Sequence, residues 1–468
     1  MNTPFHRMAQ SSPPGIGKAV VGKEPEPGPG KVGVKVKAAI FFDGTGNNQN
    51  NITKRLKDSS YQRHRFNADD WASYEQYYSN VAILYFMHKK KVPGERIVSL
   101  YMEGIGTSDD GPDNTAGGAF GAGTTGVVKR VNEGISRLTE KIKGKYGQEN
   151  RFEYLEELTV YAFGFSRGAA AARHFCARRA DSRGRLNSLC QALGVKPDVV
   201  NIKFVGLFDS VSSFDETGEY VPSDPVDDTY KVKAIHHYQN GDKEFRNDVP
   251  ELHLTLDDPT LGQVVHLAAA DEYRMNFSGT TIASALQRKK GFELRLPGAH
   301  SDVGGGYAQT VPEEHSYAKR PRVFAFFHAR GWYAPEHLRH WRQGDAPAYP
   351  IGTRRVPNTY QYVALSIMLK LAAAAQSGLQ FGSPNQDDER GIRYIIDAAH
   401  PLFAAKAQLE AHALAQFAQR PAEPVLPALP AAAYQWLRQR YLHLSWSDRL
   451  GMEYRLQDGL PHRLVLPG

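Results

Sequence analysis

The 468-residue chain is long enough to bury a substantial core, and its length corresponds to roughly two to four domains. A hydrophobic content of 41% and a charged content of 23% are typical of an ordinary soluble globular protein. The net charge of +7 is too diffuse to indicate nucleic-acid binding, because no block of Lys and Arg stands out. No apolar run approaches the roughly 20 residues that a membrane-spanning helix needs. Two cysteines, Cys176 and Cys190, provide neither a disulfide framework nor a zinc site.

Residues 1–32 are predicted to be a flexible leader, because they are rich in Pro, Gly and Lys, as in EPEPGPGK. The leader has no apolar core of the kind that a Sec signal peptide needs. We therefore expect the protein to be made in the cytoplasm and, if it is secreted, to use a route without a cleaved signal.

Six apolar segments follow in chain order, and each ends in a polar or glycine-rich loop. They are VKVKAAIFF, IVSLYM, LTVYAFGF, IKFVGLF, VVHLAAA and FELRL. Helical patterns separate several of them, such as VVKRVNEGISRLTEKI with its apolar residues at helical spacing. This alternation predicts an α/β fold with a mostly parallel sheet that is covered by helices on both faces. Sites in such sheets form at the carboxyl ends of the strands.

The character of the sequence changes after about residue 310. Residues 33–310 are predicted to be the α/β core, and residues 311–468 a mainly helical region that packs on the core or caps it. The segments YQYVALSIMLKLAAAA and AAKAQLEAHALAQFAQ show the helical pattern most clearly.

The pentapeptide Gly164-Phe165-Ser166-Arg167-Gly168 matches the G-x-S-x-G pattern of a nucleophile elbow. It lies between a predicted strand and an Ala-rich helix, which is the context that this motif requires. The sharp turn would force Ser166 into a strained backbone conformation, and the flanking glycines would remove Cβ clashes. The alternative is an ordinary helix-capping serine.

A serine nucleophile needs a base and an acid, and in this type of fold they follow in the order Ser, Asp, His. Asp209 ends the fourth apolar segment, and His300 follows the sixth in a glycine-rich loop. The alternatives are His266 as the base and Asp302 or Asp271 as the acid. His266 lies within an apolar run, as expected for the middle of a strand.

The oxyanion hole is expected to combine the amide of Arg167 with amides from the loop of Gly44 and Thr45. A simple Gly/Asn turn is the alternative for that loop. The proposed chemistry needs no cofactor and no metal. A divalent-cation site formed by Asp43, Asp302 and nearby carboxylates is the alternative use of these residues.

Five motifs occur in order: FFDGTGNN, GFSRGAAAAR, GLFDSVSS, HLAAADEYRMNF and PGAHSDVGGGY. Together they resemble the catalytic domain of the type VI secretion phospholipase effectors, the Tle1-type lipases, from about residue 35 to 310. The resemblance implies an α/β-hydrolase fold and a Ser-Asp-His triad, which corresponds here to Ser166, Asp209 and His300.

The resemblance further implies an antibacterial phospholipase A that hydrolyses membrane glycerophospholipids in a neighbouring bacterium. It implies delivery to the periplasm or membrane of the target cell by a type VI spike or adaptor component, and a cognate immunity protein in the producer. The helices near 361–375 and 404–418 would then either wall an acyl groove or simply pack in the core.

Two other functions remain open on the sequence alone. A soluble carboxylesterase would share the triad but act on small esters. A non-catalytic binding module would use the glycine-rich loops to hold a ligand or a protein, and its function would not depend on Ser166.

Overall fold

A computed structural model gives the fold. It describes residues 32–58, 72–113, 126–146, 153–177, 185–214, 246–247, 252–258, 260–342, 348–382, 394–447 and 452–468. Nearly all of the predicted leader and most of the glycine-rich stretch 115–126 lie outside these residues.

The central element is a six-stranded parallel sheet, as the sequence predicts. Its strands are β1 Val32–Phe42, β2 Arg96–Met102, β3 Glu153–Phe165, β4 Val200–Phe208, β5 Gln263–Ala269 and β6 Gly291–Leu296. Their order across the sheet is β2-β1-β3-β4-β5-β6. The chain therefore runs outward in one direction from β1 to β2 and in the other direction from β3 to β6. This reversal places a topological switch point between β1 and β3, where ligand sites of open α/β sheets form.

Helices cover both faces of the sheet. In the region that carries the sheet they are α1 Gln49–Lys57, α2 Ala72–Glu75, α3 Asn80–Met87, α4 Val127–Tyr146, α5 Arg167–Cys176, α6 Arg185–Leu193, α7 Ala283–Gln287 and α8 His300–Gly304. The alanines of α5 are fully buried, because small side chains let this helix lie close to the sheet. Cys176 and Cys190 are buried and are not joined in a disulfide.

The two faces of β1 belong to two separate hydrophobic clusters. Val36 and Ile40 pack with α4, α5 and α6 on one side, while Phe41 packs on the other side with residues of the C-terminal region. Strands that are buried on both faces read as nearly continuous apolar runs, which explains the pattern AAIFF at the end of β1.

The C-terminal region holds a second sheet that the sequence did not reveal. Its strands are β7 Thr310–Ser316, β8 Leu338–Trp341 and β9 Tyr349–Pro357, paired antiparallel in the order β7-β9-β8. The helices of this region are α9 Pro321–Ala329, α10 Gln361–Ala374, α11 Phe403–Gln419 and α12 Ala431–Arg440. Helix α10 is largely buried in the core that it shares with the six-stranded sheet. None of the helices within the described ranges is both long and apolar enough to cross a membrane.

Candidate active site

Ser166 lies at the switch point, on the turn from β3 into α5. Its backbone has φ 59° and ψ −131°, a conformation that costs a non-glycine residue energy and is typical of functional turns. A Cβ on Gly164 would collide with the backbone of α5, and a Cβ on Gly168 would collide with the backbone of Phe42 and Asp43. Both glycines of the motif are therefore needed for the tight packing of this turn, and the side chain of Ser166 makes no capping hydrogen bond to α5.

Asp209 follows β4, the neighbour of β3 in the sheet. Phe165 and Phe208 are paired in the register, so Ser166 and Asp209 leave adjacent strands at the same level. Asp209 also has a positive φ of 36°, and its Oδ1 accepts a hydrogen bond of 2.8 Å from the amide of Ala269. The carboxylate is thereby fixed by the backbone of the next strand.

His300 is the first residue of α8, directly after the loop that follows β6. Its Nδ1 lies 2.5 Å from Oδ2 of Asp209. An ionised carboxylate only accepts hydrogen bonds, so Nδ1 carries the proton and Nε2 is left as the basic nitrogen. The imidazole packs against the rings of Phe165 and Phe277, with centroid distances of 4.6 Å and 5.0 Å. Because Phe165 precedes Ser166, this packing holds His300 beside the elbow.

The protonation states of Asp209 and His300 suit a role for His300 as a general base. Burial would raise the pKa of Asp209, but the charge of Arg463 and the hydrogen bond from His300 outweigh burial and hold that pKa well below its usual range. Burial lowers the pKa of His300, and the hydrogen bond to Asp209 offsets only part of this effect. At neutral pH Asp209 is therefore ionised and His300 is neutral, ready to accept a proton.

Arg463 is a site residue that sequence reasoning missed. Its Nη1 and Nη2 donate to the two oxygens of Asp209 at 2.8 Å and 2.9 Å, and its Nε donates to the carbonyl of Phe277 at 2.9 Å. Such a bidentate pair fixes both the charge and the plane of the carboxylate. Arg463 lies in a C-terminal segment without a motif, so no local signal marks it.

Glu272 holds the loop of His300 in place. Its Oε2 accepts from the amide of His300 at 3.1 Å and from Arg274 at 2.8 Å, and Ser445 donates to the same carboxylate. Burial would raise the pKa of Glu272, but the guanidinium of Arg274 lowers it to about 2. The motif HLAAADEYRMNF therefore contributes a fixed carboxylate that binds the backbone of the candidate base.

The rival base, His266, lies in the middle of β5, as its apolar surroundings indicate. Its Nε2 accepts a hydrogen bond from the amide of Ser210 at 3.0 Å, and its Nδ1 lies 3.0 Å from Oε2 of Glu293. Both ring nitrogens are therefore engaged within the sheet. This geometry favours a structural role for His266.

The rival acids are also engaged elsewhere. Asp302 lies 2.6 Å from Nδ1 of His443 and accepts the amide of Ala299, so it pairs with a second buried histidine. Asp271 forms an ion pair of 2.6 Å with Arg438. Among the described residues, the side chain of His300 bonds to that of Asp209. It forms no side-chain hydrogen bond with Asp302 or Asp271.

The loop after β1 lies next to the elbow, as expected for an oxyanion loop. A Cβ on Gly44 would come within 2.5 Å of the Phe165 ring, so this position requires a glycine. The amide of Gly44, however, donates to Oδ1 of Asp43 at 2.8 Å. Thr45 is therefore the better candidate of the two for an oxyanion donor. The amide of Arg167, the first residue of α5, lies at the positive end of the helix.

Asp43 is a structural carboxylate in this geometry. It accepts hydrogen bonds from Ser79 at 2.5 Å and Tyr101 at 2.6 Å in addition to Gly44. Burial raises the pKa of Asp43 to about 6, although these three donors oppose the rise. In the described part of the chain no group of three His, Cys, Asp or Glu residues is arranged to hold a metal ion.

Comparisons with known proteins identify the family. A model of the catalytic domain of Tle1-like phospholipase effectors of type VI secretion matches residues 37–178 and 179–324. A solved Tle1 effector bound to the VgrG spike has a similar fold, with a TM-score of 0.57 and 21% identity over 94% of each chain. An uncharacterised protein from Pseudomonas aeruginosa aligns with a TM-score of 0.36 and 18% identity over 87% of this chain and 52% of that one. No curated protein matches. The chain therefore belongs to the Tle1-like family of type VI secretion phospholipase effectors.

Proposed function

We propose that this effector is a phospholipase A that cleaves acyl esters of membrane glycerophospholipids with Ser166, His300 and Asp209 as its triad. His300 takes the proton of Ser166 as its hydroxyl oxygen attacks the ester carbonyl, and then protonates the departing lysophospholipid oxygen. Water resolves the acyl-enzyme by the same route. Amides of Arg167 and Thr45 stabilise the oxyanion, with Gly44 shaping the loop.

The observation that carries this proposal is the strained Ser166, next to Phe165, whose ring packs on the imidazole of the buried His300–Asp209 pair, in a family of phospholipase effectors. A capping serine would have no need of the positive φ of 59°. A ligand-binding module would have no need of an imidazole that is oriented by an ionised carboxylate and packed against the residue before the serine.

A test uses mixed phospholipid vesicles with the wild-type protein and the Ser166→Ala variant. We expect fatty acid and lysophospholipid from the wild type, and a loss of about 10⁴-fold or more in the variant. Hydrolysis of short esters without any attack on vesicles would keep the mechanism and favour a soluble carboxylesterase. Inactivity of the wild type on both substrates would contradict the proposal and favour a binding module.

We further propose that the protein is an antibacterial toxin delivered to the periplasm or membrane of a target cell. The fold that it shares with a Tle1 effector captured on a VgrG spike supports loading on a spike or adaptor, and a cognate immunity protein would protect the producer. Expression in a laboratory bacterium with and without a periplasmic signal tests this. We expect growth arrest only for the periplasmic wild type, and equal harm from periplasmic Ser166→Ala would contradict it.

A further inference from the structure

The backbone that leads into His300 is held by buried carboxylates. Three consecutive amides, the last two of the loop after β6 and the first of α8, each donate to a different carboxylate. The pairs are Gly298 with Asp271 at 3.0 Å, Ala299 with Asp302 at 2.8 Å and His300 with Glu272 at 3.1 Å. All three carboxylates are buried, and a buried amide that loses its acceptor costs free energy. These bonds therefore fix the backbone that carries the candidate base.

Each of these carboxylates is also bound by a side chain from the short C-terminal segment 438–445. The pairs are Asp271 with Arg438 at 2.6 Å, Asp302 with His443 at 2.6 Å and Glu272 with Ser445 at 3.0 Å. A layer of acidic side chains thus lies between this segment and the loop of His300. The orientation of the carboxylates, and with it the position of the loop, depends on the segment as well as on the sheet.

His443 is the buried histidine of this segment, and the proposed mechanism makes no use of it. Its Nδ1 lies 2.6 Å from Oδ1 of Asp302, and its amide donates to Oδ2 at 2.9 Å, so one residue binds both oxygens. Its ring is fully buried and stacks on Tyr307 with a centroid distance of 3.8 Å. The stack fixes the ring, and the ring fixes the carboxylate, which lies in α8 together with His300.

We propose that His443 is a positioning residue of the proposed triad: through Asp302 it holds the start of α8 where His300 can meet its acid partner. The role of His443 rests on the proposed function, because it takes His300 as the base. Among the described residues His443 has no hydrogen bond to His300, so its influence passes through the carboxylate. Nδ1 of His300 lies 2.5 Å from Asp209, and a misplacement of about 1 Å in such a site can cost about 100-fold in rate.

Two substitutions separate the donor of His443 from its ring. His443→Asn keeps a side-chain N–H near the position of Nδ1 and loses the ring, whereas His443→Phe keeps a ring against Tyr307 and loses the donor. With p-nitrophenyl butyrate as substrate, kcat should fall about 10- to 100-fold in His443→Phe, with KM changed by less than about threefold. It should fall by less than about tenfold in His443→Asn. A side chain that only filled the core would give the opposite order, because loss of the ring leaves the larger cavity.

The matched control is His88→Phe. This change removes a buried histidine and its 2.7 Å hydrogen bond with Ser99 of β2, which lies at the opposite edge of the sheet from β6. Its kcat should stay near that of the wild type. Thermal unfolding sets a temperature at which every variant is folded, and His443→Leu, which also lacks the donor, takes the place of His443→Phe if that variant does not fold.

A spectroscopic measurement gives an answer that does not depend on hydrolysis. The Nδ1 proton of His300, in its bond to Asp209, gives a low-field NMR resonance that is assigned by its absence in His300→Ala. This resonance should broaden or vanish in His443→Phe and persist in His443→Asn and His88→Phe. An unchanged resonance in folded His443→Phe, or an equal loss of kcat in His443→Asn and His443→Phe, would overturn the proposal. A wild type that hydrolyses no ester while its resonance responds as expected would contradict the proposed function and leave the positioning role of His443 in place.

Discussion

The six-stranded sheet and the C-terminal region contribute to the candidate site in different ways. The sheet presents the groups proposed to react, Ser166 after β3 and His300 after β6, together with Asp209 after β4. The C-terminal region presents none of them, but its side chains hold the loops that carry them. Arg463 binds Asp209 and Ser445 binds Glu272, which in turn binds the amide of His300.

The residues proposed to react and the residues that orient them therefore come from different parts of the chain. The family model ends at residue 324, so these supporting contacts come from outside the region that it matches. The C-terminal region shares one hydrophobic cluster with the sheet, so its fold and the geometry of the site form together. Substitutions of the reacting groups on the sheet are therefore expected to abolish ester hydrolysis. Substitutions in the C-terminal region are expected to displace those groups and to slow hydrolysis.

The largest effect is expected at His300. The His300→Ala variant should lose about 10⁴-fold in kcat on a short ester, because no other described histidine is paired with Asp209. Ester hydrolysis and thermal unfolding measure this, with the exposed His340 as the control in a His340→Ala variant. Activity of His300→Ala near that of the wild type would assign the base elsewhere.

A smaller effect is expected at Arg463, the support from the C-terminal region. The Arg463→Gln variant should lose about 10- to 100-fold in kcat/KM, because Asp209 loses its bidentate partner and the proposed triad loosens. Loss of this positive charge also favours the protonated form of His300, so its pKa should rise. The acid limb of the pH–rate profile, where activity falls as His300 becomes protonated, should then move to higher pH.

The Arg463→Lys variant keeps the charge and loses the fork, so its acid limb should move less. The Arg288→Gln variant, which lacks contact with Asp209, is the control for a general change in charge. An acid limb at the wild-type position in Arg463→Gln would show that this arginine stabilises the fold without tuning the triad.

The smallest effect concerns packing around the elbow and is read as stability. A Cβ on Gly304 would overlap the Phe165 ring, so Gly304→Ala should lower the free energy of unfolding by about 1–3 kcal/mol. Gly144 in α4 has no atom within 4 Å of such a Cβ, and Gly144→Ala should raise it by about 0.5–1 kcal/mol. Denaturant titration measures both, and equal effects of the two changes would contradict the tight packing of Phe165.

The sequence predicted the strands of the main sheet because each buried strand is a short apolar run that ends at a glycine or polar residue. It could not predict β7, since TVPEEHS contains a proline and two glutamates, which strands disfavour. Pro312 is tolerated because β7 is an edge strand of its sheet.

The candidate triad was predictable for a similar reason. Ser166 and His300 lie in glycine-rich motifs, and Asp209 ends an apolar run. Arg463 contacts Asp209 across 254 residues of sequence, and no local pattern encodes such a distant pairing. Nor did the loop sequence reveal that the amide of Gly44 is engaged by Asp43.

The most direct test of the central claim is covalent labelling with a fluorophosphonate, followed by peptide mapping by mass spectrometry. A serine that is activated by a neighbouring histidine reacts with such reagents, whereas an ordinary turn serine does not. We predict one adduct, on Ser166, formed far more slowly in the His300→Ala variant. An unlabelled Ser166 in a protein that still hydrolyses esters would contradict the proposed triad.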